Sequence, residues 1–113
     1  MNPIQIPIQN RLLLSLSQDE LAVLGPRERV SLRLRQSLEV ANAPIQFVYF
    51  LEDGLASVVS EISEKNATEI GIIGREGVTG LGLVYGDTQS PFETFMQIEG
   101  SALRCSAGQC RRR

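Results

Sequence analysis

The stretch GIIGREGVTGLGLVYG, residues 71–86, sets glycines at 71, 74, 77, 80, 82 and 86 among Ile, Val and Leu. Glycine serves where the backbone takes positive φ or approaches another group closely. A glycine-rich turn between strands can aim several N–H groups at an anion, as phosphate-binding loops do. The same composition also suits a tight corner of a β-barrel that holds no ligand. The residues on either side decide the architecture that this stretch serves.

Upstream, residues 1–9 alternate Ile4, Ile6 and Ile8 with Pro and Gln, and two prolines make this an extended N-terminal arm. Asn10 then caps a short helix carrying Leu12, Leu13, Leu14 and Leu16. Ser17 followed by Glu20, directly before Leu21, is a capping-box pattern, and Gly25-Pro26 stops the second helix. After Pro26 the hydrophobic period becomes two. Val30, Leu32 and Leu34 alternate with Arg29, Ser31, Arg33 and Arg35, which predicts a half-buried strand with a solvated basic face. Ala43-Pro44 marks a turn, and residues 47–51 predict a strand closed by a hairpin turn at Glu52-Asp53-Gly54. Residues 55–62 are expected to return as the next strand. A polar turn at 63–67 and a strand at 68–73 lead into the glycine stretch.

Downstream, residues 93–98 alternate again, and Glu99-Gly100 is expected to turn the chain into a last strand over 101–105. Many short strands with turns rich in Gly, Asp and Asn predict a mostly β fold. The architecture expected is a jelly-roll-like double-stranded β-helix, or β-roll, over residues 10–107, preceded by two short helices. Residues 108–113 show neither period and are expected to be a disordered tail.

Composition narrows the function. With 113 residues the chain makes one domain. It carries 11 basic against 13 acidic residues, and three of the basic ones are Arg111, Arg112 and Arg113. The body therefore repels phosphate backbones, and no nucleic-acid binding by this chain is expected. Histidine is absent, which removes imidazole bases, the common imidazole metal sites and Ser-His or Cys-His pairs. Cys105 and Cys110 lack a second ligand pair and read as two reduced thiols near a loose end. No metal, no cofactor and no catalytic residue is expected. No apolar run reaches membrane-spanning length and no signal peptide is evident, so the expected compartment is the cytoplasm.

The order of two helices, then VYFLEDGLASVV, TEIGIIGREGVTGLGLVYG and MQIEGSALRCSA, resembles the sensor domain of bacterial Crp/Fnr-type transcription regulators. The resemblance runs from about Asn10 to Ala107 and is carried mostly by residues 47–54 and 71–83. It implies a β-roll of the cyclic-nucleotide-binding type, followed in the family by a dimerisation helix and a DNA-reading helix-turn-helix. After Ala107 the chain runs Gly108-Gln109-Cys110-Arg111-Arg112-Arg113, with neither. The expectation is a truncated product or a stand-alone sensor, with DNA binding left to full-length relatives.

Members of that family that bind cAMP place a Gly-Glu pair at the turn and an Arg shortly after for the cyclic phosphate. Setting Leu81-Gly82-Leu83 on the family's matching triplet puts Thr79-Gly80 where Gly-Glu belongs, and puts Ser90 or Glu93 where the Arg belongs. From Glu76 to Leu103 there is no Lys or Arg at all. A buried phosphodiester there lacks its charge-assisted bidentate partner. Thr79, Gly80, Leu81, Gly82 and Ser90 thus form a candidate pocket that is degenerate and not expected to hold cAMP. Arg75, the nearest cation, is expected to be a surface partner of Glu76 or Glu69.

The leading expectation is therefore a sensor for an unidentified small-molecule effector. An alternative is a β-roll interaction module that forms a homodimer through uncovered apolar surface. A cupin-type enzyme shares the double-sheet architecture but requires clustered His, which the chain lacks.

Overall fold

In the computed structural model, the described residues are 10–63, 66–80 and 91–107. The arm at 1–9 and the tail at 108–113 lie outside them. Two helices come first: α1 (Arg11–Leu14) and α2 (Gln18–Leu24). Asn10 caps α1 by accepting from the Leu13 N–H, and both halves of the Ser17–Glu20 capping box form at α2. Gly25 ends α2 at φ 78°. Of the leucines on α1, Leu13 is fully buried, while Leu14 stays 59% exposed.

Among the described residues five strands follow: β1 (Glu28–Leu32), β2 (Ser37–Glu39), β3 (Phe47–Ser63), β4 (Asn66–Ile73) and β5 (Glu93–Ser106). All the ladders are antiparallel, in the order β1-β5-β3-β4, with β2 pairing β5 beside β1. The mostly β architecture behind two short helices is the one the sequence predicts.

Several local expectations need correction. The strand at 29–35 ends at Leu32, because Arg35 takes φ 66° and the chain turns there. Gln36 N–H then donates to the Arg33 carbonyl, which leaves Leu34 58% exposed. The solvated basic face itself stands, since Arg29, Ser31, Arg33 and Arg35 are all exposed, and ion pairs form along it. Arg29 reaches the buried carboxylate of Glu52 at 2.7 Å. Beside it, Arg104 lies 4.1 Å over the Phe47 ring and pairs with Glu28 at 2.6 Å. The hydrogen bond that Arg104 donates to Glu28 pushes the guanidinium pKa up, and partial burial opposes it.

The larger correction concerns Glu52-Asp53-Gly54 and Glu99-Gly100. Neither is a hairpin turn. The chain runs straight through both, in the 17 residues of β3 and the 14 of β5. The two sites face each other across one ladder, where the register shifts between Leu51, Asp53, Leu55 and Ala56. They are β-bulges set back to back. Gly54 takes φ 86°, and a side chain on it would meet the Ile98 carbonyl oxygen at 2.5 Å. The shift has a packing consequence. Strict alternation would put Leu51 and Ala56 on opposite faces, yet both join one core cluster with Met96 and Ala102.

The first part of β3 is buried on both faces. Val48 and Phe50 join Leu13, Leu103 and Cys105 beneath α1, while Tyr49 and Leu51 face Leu32 and Leu38 from β1 and β2. Cys105 is thus a buried thiol within β5 and not a thiol near a loose end. Cys110 lies outside the described residues.

Candidate functional site

The glycine stretch begins as the end of β4 and leaves it in a tight turn. Gly77 N–H donates to the Gly74 carbonyl at 3.0 Å, with Arg75 and Glu76 at the exposed corner. Val78 then forms a single antiparallel bridge with Phe50. Thr79 is buried and bonded twice to Tyr49: its N–H donates to the Tyr49 carbonyl, and its Oγ1 accepts from the Tyr49 N–H, both at 3.0 Å. Gly80 follows, buried, at φ 73°. Leu81, Gly82 and Ser90, the other members of the expected pocket, lie outside the described residues.

Asn10 fastens this turn to the rest of the fold. Its side chain is fully buried, and its amide donates to the Leu51 carbonyl at 2.6 Å and to the Gly77 carbonyl at 2.9 Å. The same side chain accepts from the Leu13 N–H at 3.0 Å, so one residue caps α1 and ties it to β3 and to the glycine turn. Next to it, Arg11 N–H donates to the Arg75 carbonyl at 2.7 Å. Helix and turn are stitched together over a separation of more than sixty residues.

The stitching forms one wall of a cleft of about 720 Å³, whose lining includes Arg11, Leu12, Val58, Gly71, Ile72 and Arg75. Thr79 and Gly80 are not part of that lining. Gly71 pairs with Val58 across β3 and β4, and a Cβ built on Gly71 meets nothing within 4 Å. The cleft is thus open above the backbone of β4.

Arg75 does not pair with Glu69 or Glu76. Glu69 accepts instead from the Ser57 hydroxyl at 2.7 Å, and among the described residues Arg75 makes no ion pair. Its place is at the edge of the cleft beside Arg11. Sequence reasoning singled out Arg75 but not Arg11. The approach of the two depends on the Asn10 tether, and no local pattern announces a contact so distant in sequence. Among the described residues, no three His, Cys, Asp or Glu side chains converge as a metal site, and no helix is long and apolar enough to cross a membrane.

No family model matches this chain, and no curated protein matches it. Solved structures do match. A cyclic nucleotide-binding-like protein from Brucella abortus is 21% identical, with a TM-score of 0.69 over 90% of this chain and 88% of that one. The sensor domain of the transcriptional regulator DNR from Pseudomonas aeruginosa is 16% identical, with a TM-score of 0.73 over 89% of this chain and 69% of that one. The regulatory subunit of a cAMP-independent protein kinase A from Trypanosoma brucei is 10% identical, with a TM-score of 0.74 over 88% of this chain. This chain spans only 38% of that kinase subunit. At these identities the likeness shows the fold: a β-roll of the cyclic-nucleotide-binding type.

Proposed function

We propose that this chain is the effector-sensing domain of a Crp/Fnr-like transcription regulator, with a nucleotide pocket that has lost its phosphate-binding chemistry. The cleft carries the reading. It lies where β4 enters the glycine turn, and its walls are mostly aliphatic side chains and glycine backbone with a few charged groups, as in small-molecule sites. The absence of any Lys or Arg from Glu76 to Leu103 leaves a cyclic phosphate without a fork-shaped cation in the candidate pocket of Thr79, Gly80, Leu81, Gly82 and Ser90. The sensor and nucleotide-binding-like descriptions of the structural neighbours support the same reading.

In this reading the chain is cytoplasmic, is not an enzyme, and leaves contact with DNA to a separate helix-turn-helix. Calorimetric titration of the purified chain with cAMP is expected to show no saturable heat. A micromolar dissociation constant with one site per chain would overturn the loss of the nucleotide.

A second reading is favoured by one surface. Ile70, Ile72 and Ile98 are each more than half exposed in the same sheet. Large apolar side chains left open in this way often mark a protein contact. If the domain pairs through them, light scattering will give a mass that rises to that of a dimer with concentration. A monomer mass at every concentration would remove this reading and leave the sensor role intact.

A further inference from the structure

We propose that the cleft takes a small amphipathic acid, an apolar body with a single anionic head, and not a nucleotide. This rests on the effector-sensing reading and names the ligand class for the same site. The cleft lining holds no uncharged polar side chain. Apart from backbone it offers aliphatic groups, Leu12, Val58 and Ile72 among them, and three charged residues, Arg11, Arg75 and Glu76. A purine or pyrimidine lying against the aliphatic walls would find side-chain partners for its ring donors and acceptors only at those three charged groups, and polar groups left unpaired are costly to bury. A hydrocarbon chain or plain aromatic ring meets no such penalty.

The charges point the same way. Two guanidinium side chains and one carboxylate border the cleft, a positive mouth on a chain whose net charge is −2. Local fields of that kind gather anions, and the planar guanidinium fork matches a carboxylate as it does a phosphate, so the charges call for an anionic head and the apolar walls select its body. Neither Arg11 nor Arg75 makes an ion pair among the described residues, so neither is committed elsewhere within them. Ile72 is 59% exposed and Leu12 38% exposed, which leaves apolar wall uncovered for a ligand to bury. The volume lies in the range of small-ligand sites, roughly 300 to 1,000 Å³.

Gly71 supplies the test. Its Cβ position opens into free space on the same sheet face as Val58, so Gly71→Val projects a branched side chain into the cleft from a position where a Cβ meets no backbone. A β-branched residue also suits a strand. The probes are octanoate, 1-octanol, octylamine and cAMP, titrated into the whole chain by calorimetry, with thermal melting of each variant as the fold control. Octanoate is expected to bind at one site per chain, with 1-octanol and octylamine weaker by about tenfold or more, the size of one charge-assisted contact. Arg75→Gln is expected to reduce octanoate to the level of 1-octanol. Gly71→Val is expected to weaken octanoate binding by about tenfold while the melting temperature holds or rises.

Equal binding of octanoate and 1-octanol, or an unchanged titration with Gly71→Val, overturns the ligand class or its place. Binding of cAMP that Gly71→Val blocks overturns the acid and the lost nucleotide pocket together, but leaves the cleft as an effector site. Silence from all four probes overturns the cleft as a small-molecule site.

Discussion

Replacing Gly100 with alanine is expected to leave little or no folded protein. A Cβ on Gly100 would lie inside the carbonyl group of Asp53 and 2.6 Å from the Gly54 nitrogen. All of these are backbone atoms of the neighbouring strand, held by the β3–β5 ladder on either side, so no side chain can swing away to make room. Relief requires the bulges to separate at the centre of the sheet. Leu51 and Ala56 depend on those bulges to share one core face, so the packing of that core would be disturbed as well.

The expected loss is about 4 kcal/mol or more, in the range that single substitutions reach only by a named structural failure. Domains of this size hold only about 5 to 15 kcal/mol. Urea denaturation followed by circular dichroism measures it. Gly71→Ala is the matched control: the same substitution in the same sheet, where a Cβ meets nothing within 4 Å. It is expected to be neutral or to stabilise by about 0.5 kcal/mol, through fewer unfolded conformations. If both variants melt alike, the tight contact between the bulges is not what the structure says it is.

The second large effect is expected at Asn10. Removing its side chain frees the α1 cap and leaves the Leu51 and Gly77 carbonyls without their donor, one of them in a fully buried bond. Loss of a cap costs about 1 kcal/mol, and each buried polar group left unpaired costs about 1 to 3 kcal/mol. Asn10→Ala is therefore expected to destabilise by about 3 kcal/mol. Asn10→Asp should be at least as damaging although it is nearly isosteric. A carboxylate has no hydrogen to donate and brings negative charge against two carbonyl oxygens. A denaturation midpoint for Asn10→Asp equal to that of the parent would refute the tether. Asn10→Ala against Ser17→Ala separates the tether from simple capping, because Ser17 caps α2 in the open and the variants share only the loss of a cap.

The contrast between Ser17 and Gly100 explains which features the sequence discloses. The capping box is a relation between residues three apart, and such relations can be read directly from their order. Glu52-Asp53-Gly54 and Glu99-Gly100 carry the residue types of reverse turns, and local reading cannot distinguish a turn from a bulge. What distinguishes them is the partner strand. Each glycine makes room for the backbone that faces it, and that backbone lies over forty residues away. The segment β2 stayed hidden for a different reason: its three residues bury only Leu38, too little for a period to show.

At the candidate site, the glycine stretch revealed a corner beside β4, and the cation count pointed away from a cyclic phosphate. The cleft itself was not legible. It depends on Asn10 drawing α1 against the turn, which sets Arg11 next to Arg75. Asn10 announced only its local task, the helix cap.

One feature of the sheet bears on how the protein is made. The strand β5 pairs with β1, β2 and β3 and occupies the middle of the order, yet it follows all three of its partners in the chain. Until β5 has left the ribosome, β1 and β2 lack the partner they take in the sheet, and among the described residues β3 has only β4 and the bridge to Val78. Contacts such as Glu28 with Arg104 close long loops, and such closure is slow because its entropy is lost before pairing compensates. The strands β1 and β2 therefore wait unpaired during synthesis until β5 emerges to take its place between them and β3.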